Sequence, residues 1–533
     1  MPRRPASPRV ARLVLAAILL LPAPATAQVT EGPLSPAGRL RVEVAPSFFH
    51  WSERFGLRTE DGALVEETEL LGFDLERDRA SELFPGVAAQ ETRLRALLED
   101  PSYQALLGSS RARVAHDVAR VPLRVDLGIF EWLTVGVTVP FVRTRTEASL
   151  ILRLDPEGPN LGLSPSVTAP SALAGFLEDL AGSAATARAR AASLCGEDEA
   201  GCAAARALAD DAESFESTLR AAYGLAPLFP AEGTAAGTGL RARLEALNER
   251  LAEAGLAGID RSLPLAEGVL DAETVLRLFS DARAGLGDTP SNVVGLWELG
   301  DVELTAAVRL LEGEARDSAE APARARWQVG ARALVRLGTG QPDDPDRFLD
   351  LGTGDGQTDV EGGVFANGRV GAWGLWADAR YGVQSPVDLL RRAVPADVVL
   401  APVATRVPVR WTPGSYLQVE LSPRWHVTTE LAVAASWRLF HKGEDTYELA
   451  APAPPDATFP DPSVLEAETG QTLHELGGGL VFSTLEAWRE GRTDVPFEVR
   501  FGVQAGVAGS GGRTPKGVRV QTGLRIYQPL WGR

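Results

Sequence analysis

The fold is decided by residues 118–142, whose sequence is VARVPLRVDLGIFEWLTVGVTVPFV. Val121, Leu123 and Val125 alternate with small or charged residues, and the same alternation returns after a short break. Because successive side chains of a strand point to opposite faces, this period of two predicts strands and excludes a helix. The segment therefore predicts a β-hairpin that turns at Ile129–Glu131.

Similar alternating segments recur along the chain and predict an antiparallel barrel of about twelve strands, within a range of 10–14. Each is long enough to cross a membrane at a tilt, which takes about 9–11 residues, and longer than the usual ~5–6 residues of a soluble sheet. The fold class is therefore all-β, a transmembrane β-barrel. The predicted strands are 39–51, 112–128, 132–146, 298–311, 325–338, 357–367, 370–384, 406–421, 424–440, 471–485, 494–507 and 516–529.

The connections between these segments alternate in length, which is typical of outer-membrane barrels with short turns at one end and long loops at the other. The predicted short set is 129–131, 312–324, 367–369, 422–423 and 486–493. The predicted long set is 52–111, 147–297, 339–356, 385–405, 441–470 and 508–515. Both chain ends then lie on the short-turn side, which places the long loops outside the cell.

The two faces of the wall follow from the same alternation. On 424–440, Val433, Trp437 and their neighbours two residues apart are predicted to face lipid, whereas His426 and Ser436 face the lumen. Aromatic side chains near the strand ends suit the two interfacial girdles of a membrane barrel. One girdle is predicted from Phe130, Trp132, Trp327, Trp425 and Phe497, and the other from Phe48, Trp51, Phe141, Tyr381, Trp411 and Trp437.

The N-terminus predicts secretion. Residues 1–27 contain four arginines, an apolar stretch too short to span a bilayer, and Ala25-Thr26-Ala27 before Gln28, which is the order of a signal peptide. No later run of about 18 apolar residues occurs, so a helical membrane protein is excluded. The remaining 49 basic residues against 71 acidic ones make nucleic acid an improbable partner.

Residues 147–296 interrupt the alternating pattern and divide the barrel into parts 28–146 and 297–533. They predict an α-helical insertion on the outer side, with a leucine stripe at helical spacing. The insertion carries 22 acidic and 11 basic residues, which indicates a solvated cap or, alternatively, an acidic binding surface. The stripe consists of Leu240, Leu244, Leu247 and Leu251.

Cys195 and Cys202 flank a turn-like stretch in a chain directed to an oxidising compartment, so a local disulfide is expected. The alternative is two unpaired thiols. A metal site is disfavoured because no histidine lies nearby.

Charged residues of both signs share the predicted lumen face. They can set ion selectivity or contact polar solutes. They can equally form cross-strand ion pairs that only hold and fill the wall, and both interpretations remain open. The predicted lumen-lining residues are Arg124, Asp126, Glu303, Arg309, Arg332, Arg336, Asp359, Glu361, Asp378, Arg380, Arg410, Glu420, Glu430, Arg438, Glu498, Arg500, Arg519 and Arg525.

The sequence gives little support for an enzyme, and no catalytic residue, metal or cofactor is expected. The five histidines lack metal-ligand spacing, and no GxSxG, HExxH or P-loop occurs. His50 precedes Ser52 by two residues, which resembles outer-membrane phospholipases and leaves a hydrolase as a remote alternative; the Asn-Gly that follows the serine in that family is missing. The Gly- and Asp-rich loop 339–356 does not match the calcium-loop spacing and indicates turns.

Four segments resemble the phenol-degradation meta-pathway family of transporter-type outer-membrane proteins: LGIFEWLTVGVTVP (127–140), GDVELTAAVRLL (300–311), LVRLGTG (334–340) and DLGTGDGQTDVEGGVFANGRVGAWGLWADARYGV (350–383). The resemblance implies a barrel that passes small solutes, hydrophobic or aromatic ones among them. Two features depart from that family: the helical insertion has no counterpart there, and the sequence ends Leu530-Trp531-Gly532-Arg533 where such barrels usually finish on an aromatic residue. Trp531 is the residue expected to serve as the terminal signal instead. A closed barrel with a structural or surface-interaction role is the alternative. Outer-membrane lipid and, during biogenesis, the barrel-assembly machinery are the expected partners.

Overall fold

The computed structural model describes most of the chain beyond the predicted signal peptide. Residues 1–31 and the predicted terminal Trp531 lie outside the described residues. The described residues are 32–60, 63–84, 86–153, 158–195, 199–280, 287, 292–315, 325–347, 349–395, 398, 400–451 and 460–530.

Twelve antiparallel strands close into a barrel, which confirms the predicted fold class. Each strand pairs with the next along the chain, and the last pairs with the first, so the wall has no free edge. The strands are β1 (Arg39–Val44, resuming as Ser47–Glu60), β2 (Ser109–Phe130), β3 (Leu133–Arg153), β4 (Val302–Ala315), β5 (Ala325–Leu337), β6 (Asp359–Val370), β7 (Trp373–Gln384), β8 (Tyr416–His426), β9 (Leu431–Lys442), β10 (Gln471–Ser483), β11 (Phe497–Ser510) and β12 (Thr514–Pro529).

Two predicted turns are wrong. Ser422 and Pro423 lie inside β8, and the chain turns at 427–430 instead. Pro423 misled the prediction because proline normally breaks a sheet, yet here it occupies a wall position. Likewise Asn367-Gly368 lies inside β6, and the turn follows at Gly371, whose φ of 57° suits a residue without a side chain.

One predicted strand is wrong in part. Residues 406–421 divide between β8 and a separate three-stranded sheet at the outer end of the barrel, which we call the outer sheet. It consists of Val387–Arg392, Arg406–Thr412 and Thr446–Leu449. The alternation correctly indicated strands, but it did not distinguish a strand of a small solvent-exposed sheet from a strand of the barrel wall, because both alternate in the same way.

The outside of the barrel carries an apolar band. Side chains that point outward on strands around the barrel are exposed and hydrophobic, for example Leu123, Leu304, Val364 and Leu480. Aromatic residues flank this band, with Trp132, Trp327, Trp373 and Trp425 exposed at the inner end and Phe48, Phe141 and Tyr381 at the outer end. Trp51 and Trp411 are corrections to the predicted outer girdle. Trp51 stacks on Phe49 and lies tilted against His116, and Trp411 belongs to the outer sheet.

The outer end carries a helical cap. No helix of the described residues is long and apolar enough to cross a bilayer. Six helices of the described residues supply most of the cap, and its apolar core includes the predicted leucine stripe, in which all four side chains are buried. The helices are α1 (Val87–Leu98), α2 (Pro165–Thr168), α3 (Pro170–Leu194), α4 (Glu199–Leu225), α5 (Ala235–Glu253) and α6 (Ala272–Ser280), and a short α7 (Leu485–Arg489) lies at the inner end.

The cap is larger than the predicted insertion. Helix α1 belongs to the first outer loop, yet Leu94 and Leu97 share one core with α3, α4 and α5. The amide of Gln90 also donates to the carbonyl oxygens of Ala222 and Leu228. Two distant outer loops therefore fold together as one unit.

Candidate functional site in the barrel interior

The inward side of the barrel wall is a network of ion pairs, and its first group lies near the inner end. Arg41 of β1 faces Asp126 of β2 in register, and its guanidinium lies 2.8 Å from that carboxylate. Arg124 contacts the same carboxylate at 2.8 Å. The fully buried Asp126 therefore has two cationic partners, as a charge removed from water requires.

The second group joins β1, β11 and β12. Arg525 Nε donates to Glu43 at 2.7 Å and its guanidinium also approaches Glu498 at 3.4 Å. Arg500 pairs with Glu43, and the Tyr527 hydroxyl donates to Glu498 at 2.7 Å. This group closes the barrel chemically at the point where the last strand meets the first.

The third group lies on β2, β4, β5 and β6. Glu303 contacts Arg120 at 3.0 Å and Arg336 at 3.6 Å. Arg336 also contacts Asp359 at 2.7 Å. These contacts reach past β3, whose inward residues Thr138 and Gly136 are small and leave room for the longer side chains.

The fourth group lies on β5 to β8. Asp378 contacts Arg332 at 3.1 Å and Arg380 at 2.9 Å. Glu361 accepts a hydrogen bond from the Tyr416 hydroxyl at 3.0 Å and lies 3.8 Å from Arg332. The four groups together place basic and acidic residues in alternation around the interior.

A fifth group lies on β8, β9 and β10. Arg438 contacts Glu475 at 3.0 Å and donates to Gln418 at 3.1 Å. The inward Glu420 is buried beside them. Next to it, Ser422, Ser436 and Gln504 are buried with polar side-chain atoms that have no hydrogen-bond partner among the described residues.

Four of the predicted lumen-lining residues lie outside these five groups. Arg309 pairs with Glu312 near the inner end, and Arg519 lies 4.9 Å above the Phe49 ring. Arg410 is wrong as a wall residue because it lies in the outer sheet, 3.9 Å from Asp388. Glu430 is wrong as a strand residue because it lies in the 427–430 turn and pairs with Arg492 at 3.1 Å.

The sequence prediction omitted several members of the network. Arg41, Glu43 and Arg120 alternate with apolar residues on β1 and β2 in the same way as the residues that were chosen. The signal that would have found them was the alternation itself, applied to every strand. Tyr416 and Gln418 lie four and two residues before Glu420 and share its inward face. The alternation would have found them as well, but only charged residues were selected.

A short segment crosses the inner end of the lumen, and we call residues 32–38 the inner strap. Arg41 donates to the carbonyl oxygens of Gly32 and Pro33 at 3.2 and 3.0 Å. Leu34 packs against Ala307, Phe365 and Trp376 of strands far around the barrel from β1. The strap therefore reaches from β1 towards the opposite wall and narrows the inner opening.

The outer end is covered by an apolar core between the barrel and the cap. Val114, Ala148 and Leu150 point inward from the upper parts of β2 and β3. They pack in one cluster with residues of the first outer loop and with Phe279 of α6. This packing fixes the cap over the outer mouth.

The acidic loop 339–358 makes ion pairs with the outer sheet. Asp343 contacts Arg391 at 2.8 Å, and Asp346 contacts Arg392 at 2.9 Å. Among the described residues no cluster of histidine, cysteine or carboxylate side chains is arranged to hold a metal ion.

Cys195 and Cys202 form the expected disulfide, with Cα atoms 4.5 Å apart. It joins the end of α3 to the first turns of α4. The disulfide therefore fastens the longest helical hairpin of the cap at its tip.

His50 and Ser52 are the residues on which the remote hydrolase alternative rests. His50 Nδ1 lies 2.7 Å from Asp117 on the outer surface of the barrel. Among the described residues no hydrogen bond joins the Ser52 hydroxyl to His50, so a charge-relay arrangement is not assembled here.

A closed barrel with an apolar outer band, aromatic girdles and a charged interior defines a transmembrane β-barrel of the outer-membrane type. The predicted location of the chain in an outer membrane is therefore confirmed by its architecture.

No protein-family model and no curated protein matches the chain. Among solved structures it is similar to an outer-membrane channel from Pseudomonas putida F1, at 9% identity and a TM-score of 0.41, covering 94% of this chain and 100% of that one. It is also similar to a mutant of the monoaromatic hydrocarbon channel TodX, at 10% identity and a TM-score of 0.27, covering 95% and 98%. A third similar structure is the transport unit of the autotransporter AIDA-I from Escherichia coli, at 6% identity and a TM-score of 0.26, covering 97% of each chain.

Proposed function

We propose that the chain is an outer-membrane channel that passes small solutes, including hydrophobic or aromatic ones. The observation that carries the proposal is solvent exposure inside the barrel. Arg120, Arg336 and Arg124 point inward, yet 41%, 29% and 28% of their side-chain surfaces remain exposed. A barrel filled by its own side chains would bury them, so this exposure supports a water-accessible passage on the β2–β5 side.

The proposal includes the steps that bring the chain to the membrane. Residues 1–27 act as a secretory signal peptide, and the barrel-assembly machinery inserts the barrel by recognising its C-terminal segment with Trp531. Catalysis has no part in this proposal.

The inner strap and the cap regulate the passage in this proposal. The strap narrows the inner opening, while the cap lies over the outer mouth. A channel whose two ends are both covered at rest opens when one cover moves. The strap is smaller and less extensively packed than the cap, so the strap is the cover that moves in this proposal.

A closed structural barrel is the second candidate. It is favoured by the ion pairs that span neighbouring strands, since these rigidify a wall whether or not a solute passes. In that case the helical cap would be the functional surface and would bind other molecules outside the cell.

Single-channel conductance in planar bilayers separates the two candidates. We expect discrete conductance steps from the purified chain. Arg41→Ala is expected to raise the conductance, because it removes the donors that hold Gly32 and Pro33 at the start of the strap while Asp126 keeps Arg124 as its partner. Arg113→Ala is the matched control, since Arg113 lies exposed on the same barrel but on the outer face of β2.

The cap is tested by removing both of its parts. Deletion of 160–290 alone would expose the apolar face of α1, so 81–107 must be replaced by a short glycine linker as well. The ends suit such a linker, because the Ala80 amide lies 2.6 Å from the Gly108 carbonyl oxygen. Silence of the full chain, the strap variant and the trimmed variant, all with heat-resistant barrels, would contradict the channel and favour the closed barrel.

A further inference from the structure

The interior contains charges of both signs, but the two signs differ in how far they reach into the passage. Asp126, Asp359 and Asp378 expose 3% or less of their side chains. Glu303 exposes 14%, which is the largest value among the inward acids of the five groups. The carboxylates therefore lie against the wall.

The arginines that neutralise these acids reach further into the passage. Arg120 exposes 41% where its partner Glu303 exposes 14%, and Arg336 exposes 29% where Asp359 exposes 2%. Side-chain length explains the difference, because arginine has three methylene groups before its charged end and aspartate has one. A guanidinium can contact a wall carboxylate with one edge and present its remaining donors to water.

The most exposed arginines are close together. Arg120 and Arg336 share Glu303, and Arg124 donates past β3 towards Thr305 on β4 at 3.4 Å. Arg332 follows on β5 with 23% of its side chain exposed. These four residues, which we call the arginine lining, belong to strands β2 and β5 and form the accessible surface of the passage.

We infer that the passage is selective for anions and that its solutes are small molecules with a carboxylate or a similar anionic group, aromatic carboxylates included. The inference rests on the proposed function. Guanidinium groups match carboxylate oxygens with paired hydrogen bonds, and charges on a narrow wall act on ions more strongly than charges in bulk water.

The helical insertion has the opposite charge, with 22 acidic and 11 basic residues, but it does not decide selectivity. Its charges face water outside the membrane, where salt screens them within about 8 Å at physiological ionic strength. The arginine lining lies inside the wall, where ions must pass close to it.

Reversal potentials measured across bilayers in a KCl gradient test the inference. We expect the full chain to prefer chloride over potassium. The double variant Arg120→Gln with Arg124→Gln should lower the chloride-to-potassium permeability ratio by roughly twofold or more, because it removes two positive charges from the passage. Both acids keep a partner in this variant, since Glu303 retains Arg336 and Asp126 retains Arg41, so the barrel should fold.

Arg113→Gln is the control, because it removes one arginine charge from the outer face of β2 and should leave the ratio unchanged. Potassium preference in the full chain would overturn the inference and leave the channel intact. A ratio that the double variant and the control change equally would overturn the arginine lining as its cause. A folded protein without any conductance would contradict the proposed function, and the inference would fall with it.

Discussion

The barrel and its cap follow opposite patterns within one chain. In the cap, Leu240 and Phe215 are buried at the centre and charged side chains face water. In the barrel, Val364 is exposed on the outside and Asp378 is buried on the inside. The difference teaches that burial is decided by the surrounding solvent: lipid accepts apolar side chains that water expels, and only the barrel wall has lipid outside it.

The sharpest test of this comparison introduces the same charge on the inward side of each region. Leu240→Arg should destabilise the cap by about 4 kcal/mol or more, because it both removes a packed leucine and buries an unpaired charge. Gln384→Arg should have little effect, because Gln384 already points towards Asp359 and a guanidinium there gains an acidic partner. Limited proteolysis of the cap and heat-resistant migration of the barrel measure the two effects. Equal tolerance at both sites would break the comparison.

The next test introduces arginine on the outward side. Val364→Arg lies in the middle of the apolar band and should cost about 2–4 kcal/mol of barrel stability. Val269→Arg on the exposed surface of the cap should change stability by no more than about 0.5 kcal/mol. Unfolding in urea from lipid vesicles and in solution gives both values. A harmless Val364→Arg would show that this surface does not face lipid.

A smaller effect is expected from the disulfide. Cys195→Ser should lower the stability of the cap by about 2 kcal/mol, because the bond closes only a short loop and constrains the unfolded chain modestly. The barrel should be unaffected. Thermal unfolding of the α-helical signal should shift while the heat-resistant barrel remains, and a simultaneous loss of both would show that the two regions fold as one unit.

The barrel was predictable because each wall strand presents one face to lipid and the other to the polar interior, which requires apolar and polar residues to alternate. Alternation through 118–142 therefore identified β2 and β3, although the pairing of Val125 with Val137 depends on a register shift between Gly128 and Phe130 that the predicted turn at 129–131 did not include. Turn positions were less predictable, since Pro423 and Gly368 carry turn chemistry but lie within strands. Both residues lie in strands because their segments pair with a neighbouring strand on each side, and the local sequence does not indicate this pairing.

The presence of charged residues on the inward face was predictable, but not all of the residues that form its ion pairs were. Asp126 and Arg124 followed from alternation, whereas the roles of Arg41 and Glu43 depend on the closing contact between the first and last strands. Such a contact joins residues from opposite ends of the chain. The inner strap left no periodic signal at all, because it is an extended segment held by carbonyl oxygens and one apolar side chain.

The α1 helix shows the same limit in the cap. Its leucines gave no indication that they pack with the helical insertion more than 70 residues away in sequence. Residues 147–296 alone therefore underestimated the helical unit, although the helices within that range were indicated by the leucine stripe.

The central claim is that the barrel holds a water-filled polar passage inside a lipid-facing wall, and thiol labelling tests it most directly. The two native cysteines are bonded to each other, so a single introduced cysteine is the only free thiol. Thr305 points inward and Ala306 outward on β4. In vesicles, a charged water-soluble thiol reagent should label Thr305→Cys and leave Ala306→Cys unlabelled, whereas labelling of neither position, or of Ala306→Cys alone, would contradict the account.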